Sequence, residues 1–103
     1  MIIYEVTTAI QKPEAKQDWL DWMLREHIQH VVDTGCFTKA EFLEDSESEY
    51  RFTVRYFTPD METLQRYMLE FAPKLRGEFT KRFAGKADIS RTIWKQAKTF
   101  EPV

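Results

Sequence analysis

One cysteine, three glycines and four prolines in 103 residues exclude several kinds of protein at the outset. A lone Cys36 closes no internal disulfide and rules out a disulfide scaffold or a C-x-x-C redox site, and a reducing, cytoplasmic compartment is its simplest setting. Few Gly and Pro beside 15% aromatic residues do not describe a collagenous or disordered chain. No apolar run approaches the ~20 residues of a membrane-spanning helix. The opening MIIYEVTTAI has no basic stretch ahead of its apolar residues and alternates too strongly for an export signal. A surplus of one charge is missing too. The net charge of -2 and a pI near 5.7 supply no positive field for nucleic acid, so neither nucleic acid nor membrane is expected as a partner.

What is present is regular secondary structure. Residues 2 to 10 alternate, with Ile2, Tyr4, Val6, Thr8 and Ile10 on one face, the period-two pattern of a half-buried strand. Pro13 suits a first helical position, and a helical period then runs to Asp33, with Gly35 as the stop, so a helix is expected over about residues 14–33. Phe37 to Glu44 reads as a second strand, EDSESE as a turn, and Tyr50, Phe52, Val54 and Tyr56 as one face of a third strand. Thr58-Pro59-Asp60 opens a helix carrying Met61, Leu64, Met68 and Phe71. Pro73 interrupts it, and a shorter helix with Leu75, Phe79 and Phe83 ends at Gly85, before a fourth strand over 87–95.

The order β-α-β-β-α-β specifies an α+β, ferredoxin-like fold: a four-stranded antiparallel sheet with the helices on one face. The whole chain, 1–103, reads as one domain, without repeat or linker. The opposite sheet face would carry Arg51, Thr53, Arg55 and Phe57, too mixed for a second core and too aromatic to be simply wet. A homodimer that pairs two such faces is the expected explanation. Charge is uneven, with acids clustered at the hairpin and Lys74, Arg76, Lys81, Arg82 and Lys86 around the last helix.

Both histidines fall in WLDWMLREHIQHVVDTG, residues 19–35. With Trp19 as origin and about 100° per residue, Met23 falls at about 40°, Val31 at about 120° and Leu24 at about 140°, and His27, at about 80°, sits amid this apolar stripe. A neutral imidazole there needs hydrogen-bond partners or a pocket. Glu26 and His30 lie at the stripe's edge, four residues apart, where a carboxylate can orient an imidazole. His27, Glu26 and His30 are therefore the candidates for proton transfer. Trp19, Met23, Tyr4 and Tyr50 are the candidates for lining a site for a planar guest. Trp22, at about 300°, faces outward and calls for something to cover it. EHIQH lacks the H-E-x-x-H order of a zinc helix, so no metal site is expected. No cofactor is expected either: haem needs only one axial histidine and an apolar cleft, and nothing distinguishes it here from another planar guest.

The pattern IIYEVT, WLDWMLREHI, TGCF, YRFTVRYF, RYMLEFAPKLRGEFTKRF and RTIW resembles, over almost the whole chain, a bacterial family of about this length known only as a domain of unknown function. Its motif falls on Trp19, Trp22, Glu26, His27 and Gly35, and on Ala72, Pro73, Leu75, Arg76, Arg82 and Phe83. The resemblance implies membership of the dimeric α+β barrel superfamily, in which two ferredoxin-like sheets pair and a pocket often remains between sheet and helices. Relatives there include cofactor-independent monooxygenases, haem-degrading enzymes, isomerases and cyclases. No catalytic role comes with the motif, because one fold hosts many functions. Other users of the topology fit poorly: EYRFTVRY shares little more than V-x-Y with the RNA-recognition strand, copper chaperones need C-x-x-C, and QKPEAK lacks the glycine of amino-acid-binding regulatory modules. Two functions follow as expectations. One is a small-molecule pocket between the first helix and the sheet, where a planar or apolar ligand is bound or transformed. The alternative is a non-catalytic dimeric interaction module that docks through the acidic hairpin or the basic helix. An open cleft at His27 would favour the first, and a filled, hydrogen-bonded core the second.

Overall fold

A computed structural model describes all 103 residues. The alternating segments become β1 (Ile2–Ile10), β2 (Lys39–Glu44), β3 (Arg51–Thr58) and β4 (Ala87–Lys95), antiparallel in the order β2-β3-β1-β4. The first helical stretch is composite. A 3₁₀ turn at Pro13–Ala15 leads into α1 (Lys16–Trp22), a wide π turn at Met23–His27 follows, and α2 (Ile28–Val32) completes it. The second is α3 (Met61–Glu70) followed by α4 (Ala72–Phe83). This is the ferredoxin-like α+β arrangement that the sequence predicts.

Each boundary has a local cause. Asp60 caps α3, its carboxylate accepting the Thr63 N–H at 2.8 Å, which satisfies one of the helix's free donors. Phe71 leaves the helical path at φ -119°, and Pro73, which has no N–H to give, sits where a helix's first turn needs none. The chain therefore bends there and continues as α4. At 12 residues α4 is longer than the 10 of α3, where the sequence suggests a shorter helix. The second strand begins at Lys39, two residues later than the expected Phe37. Gly35, at φ +82°, turns the chain so that Cys36 and Phe37 drop into the core, a left-handed conformation that costs glycine little.

Strand register decides what each face shows, because directly paired residues point the same way. Tyr4 pairs with Tyr56 and Ile93, and Val6 with Val54 and Arg91. These side chains lie on the helix-covered face. There Trp19 packs on Phe52 at 5.0 Å between ring centres, and Tyr4, Phe37, Tyr56 and Tyr67 form a second aromatic group. On the other face Ile3 pairs with both Phe57 and Trp94, beside an Arg55–Glu5 ion pair at 2.9 Å. No helix covers that face. Trp94 remains 53% exposed.

Candidate functional site

The wide turn determines what the first helix can present. Residues spaced four apart drift by about 40° per step on a regular α-helix, or about 120° from Trp19 to Val31. A π turn takes more residues per revolution and absorbs that drift. Trp19, Met23 and Val31 are consequently all buried, and Met23, His27 and Val31 line one pocket together. Leu24 is the residue turned outward. It is 56% exposed, although an even wheel puts it within the apolar stripe.

The same turn joins Trp22 to His27. Five residues apart, the two would diverge by about 140° on an α-helix, yet their rings stack at 4.4 Å with 25° between planes. Trp22, expected to face outward in need of a cover, is covered by α4: Phe79 and Phe83 meet it at 6.2 and 5.5 Å, and the Arg82 guanidinium lies 5.6 Å from its ring. Only 7% of it stays exposed.

The pocket lies between the wide turn, α3, α4 and the inner faces of β1 and β4. It spans about 480 Å³ including its mouth, although the space wide enough for water is only about 40 Å³. Apolar side chains dominate the lining, among them Val6, Met23, Leu75 and Phe79. The polar members are few and varied. Tyr4, Tyr56 and Tyr67 contribute phenols, His27 an imidazole, and Arg76 and Arg91 guanidinium groups near the mouth. An apolar cleft with a small set of placed polar groups is the usual composition of a small-molecule site.

His27 is half-buried, and its Nδ1 is buried without a hydrogen-bond partner. Burial, reinforced by the nearby His30, pushes its pKa down to about 4, because a desolvated imidazolium loses hydration that nothing replaces. At neutral pH the ring is therefore uncharged. Burial also drives the Tyr56 and Tyr67 hydroxyls well above the usual phenol range, with the other phenols adding to it; Arg76 and Arg91 oppose the rise at Tyr67. All three groups thus act as neutral hydrogen-bonding partners at physiological pH.

Of the residues singled out from sequence, the structure brings His27, Met23 and Tyr4 together in this pocket. Glu26 lies in a separate polar groove with Lys12, Asp18, Arg25 and Arg82. His30 lines a third, with Asp33, Glu70, Lys74 and Glu78. Trp19 is 1% exposed and belongs to the core beside Phe42 and Phe52. Tyr50 sits before β3 under the Lys16 ammonium, 5.2 Å from its ring centre. Sequence reasoning missed Tyr56, Tyr67, Arg76 and Arg91 as lining groups. Tyr67 was open to detection, since it follows Leu64 by three residues on the buried face of α3. No three His, Cys, Asp or Glu side chains come together as a metal would require.

Residues 1–97 match the model of a family described as a domain of unknown function, DUF4286. No curated protein matches the sequence. Among solved structures, SnoaB, a cofactor-independent oxygenase from Streptomyces nogalater, superposes with a TM-score of 0.72 at 7% identity, over 98% of this chain and 97% of that one. A Deinococcus radiodurans protein provisionally assigned as an antibiotic biosynthesis monooxygenase gives 0.68 at 12% identity, over 100% and 99%. An ethyl tert-butyl ether D (EthD) family protein from Bacillus halodurans gives 0.67 at 21%, over 94% and 100%. At these identities the likeness is one of fold.

Proposed function

For a chain that belongs to the DUF4286 family, we propose a small-molecule site: the pocket beneath the wide turn binds a planar, largely apolar ligand, with His27 as its central polar contact. The observation that carries this is the combination at His27 of an adjoining pocket and a buried, unpartnered Nδ1. A filled, hydrogen-bonded histidine would have favoured a non-catalytic interaction module instead. Structural likeness to oxygenases is compatible with a ligand that is transformed as well as bound. Binding is the better-supported role, since an imidazole with a pKa near 4 is a weak base at neutral pH, whereas an effective general base sits closer to the working pH.

Tyr4 and Met23 join His27 as lining groups in this proposal, while Glu26, His30, Trp19 and Tyr50 lie outside the pocket and have no part in it. The protein works as a cytoplasmic homodimer in which a second copy covers the open sheet face. Ile3, Phe57 and Trp94 form an apolar row across three strands there, the kind of surface that marks an interface. A thermal-shift screen of quinones, haem and aromatic acids, followed by isothermal titration of the hits against wild type and His27→Phe, tests the site. Hits that bind wild type and weaken in the variant are expected. A wild type that binds none of them would end the proposal.

A further inference from the structure

Two guanidinium groups at the mouth of the pocket share one neutral acceptor. Arg76, from α4, donates from Nη2 to the Tyr4 hydroxyl at 3.2 Å, and Arg91, from β4, donates from Nε to the same oxygen at 3.1 Å. Neither arginine has a carboxylate partner; the chain's ion pairs are Lys39–Glu41, Arg51–Asp45 and Arg55–Glu5. The chain has 17 acidic residues, yet none lines this pocket. Two like charges converging on a phenol repel each other, and a phenol oxygen offers no charge to offset that. With both acceptor positions of Tyr4 engaged, its own O–H has no protein acceptor and is free to donate.

Resting on the reading of this pocket as a small-molecule site, we propose that its ligand is an anion: a planar, mostly apolar body bearing a carboxylate that is received between Arg76 and Arg91, with the Tyr4 O–H as a third donor. The two arginines reach the mouth from opposite walls, one from a helix and one from the edge strand, and both residues are exposed, so they can part as the ligand enters. The carboxylate then replaces the Tyr4 oxygen as their acceptor, a charge-assisted exchange stronger than the contacts it displaces. Behind it the body of the ligand lies along Met23, Leu75 and Phe79 toward His27, and these side chains draw apart to admit it, because the space now open there is about 40 Å³.

Paired titrations test this: 2-naphthoate and its neutral isostere 2-naphthamide, each against wild type, Arg76→Gln, Arg91→Gln and, as a control of equal charge change on α4, Lys81→Gln. Circular dichroism verifies that each variant is folded. Wild type is expected to bind the acid at least about tenfold more tightly than the amide, and either arginine variant to lose about tenfold or more for the acid alone. Lys81→Gln should leave both affinities in place. Equal affinity for acid and amide, or an equal loss in Lys81→Gln, overturns the anionic ligand and leaves the pocket standing. Failure of wild type to bind either compound overturns the anionic ligand, and the pocket falls with it when quinones and haem fail to bind as well.

Discussion

Acid should destabilise this protein through His27, by an amount that a non-titrating variant separates from the protonation of the 17 carboxylates. The ring has a pKa near 4 in the folded protein against 6.5 in an unfolded chain, so unfolding takes up a proton between those values. The sign follows from linkage: a folded state that binds fewer protons loses stability as pH falls. Stability is fully present above about pH 6.5 and declines as pH drops toward 4, at up to about 1.4 kcal/mol per pH unit. Over two units the limit is near 3 kcal/mol, and opening of the ring toward the pocket reduces this to about 1–2 kcal/mol. For a domain of this size that is a fall of roughly 5–12 °C in Tm between pH 7 and 4.5.

The matched variant is His27→Phe, which keeps a flat ring against Trp22, removes the orphaned Nδ1 and cannot titrate. At pH 7 it should be as stable as wild type or about 1 kcal/mol more so, since an unpartnered buried polar atom is lost. The gap between the two should then widen by about 1–2 kcal/mol by pH 4.5. Urea titrations of both proteins across pH 4.5–7.5 measure it directly. Parallel pH profiles would show that His27 is not desolvated in the folded state, and the account of the pocket's polarity would fail with it.

Other expectations are more local. Asp60→Ala should lower Tm by a few degrees through loss of the α3 cap, and because its hydrogen bond to Thr63 holds the Asp60 carboxyl below the usual range, wild type should lose that advantage only at pH values below about 3.8. Phe57→Glu on the open face should convert a dimer to a monomer in sedimentation velocity while leaving the far-ultraviolet spectrum intact; a variant of unchanged mass would place the interface elsewhere. Deleting the exposed Leu24 from the wide turn should be tolerated, since it restores regular α-helical spacing and leaves Trp22 and His27 four residues apart on one face. Loss of near-ultraviolet tryptophan ellipticity in that deletion would contradict the geometry.

Much of the framework is legible because it depends on short-range patterns. Alternation in IIYEVTTAI and YRFTVRYF gives the strands, Pro73 gives the break between α3 and α4, and the element order gives the fold. His27 on the inner face was equally legible. The partners around it were not, for two physical reasons. A helical wheel assumes a constant 100° per residue, so it sends Trp22 outward and Leu24 inward and cannot register a turn of another pitch. Arg76 and Arg91 are 15 residues apart and sit among charges that read as a solvated surface; their convergence on Tyr4 arises only once β4 pairs with β1 and α4 packs above it.

The turn at Met23–His27 also works as a seam in the first helix. In a rod of uniform pitch, any rotation that improves the fit of Trp22 against Phe83 swings Val31 away from the sheet by the same angle. An extra residue within one revolution lets Trp22, at the end of α1, meet Phe79 and Phe83 of α4 while Trp19 and Val31, before and after it, both stay buried in the core. His27 sits at the joint, its ring stacked on Trp22 and lining the pocket. The winding of this single turn therefore sets which residues of the first helix reach the pocket.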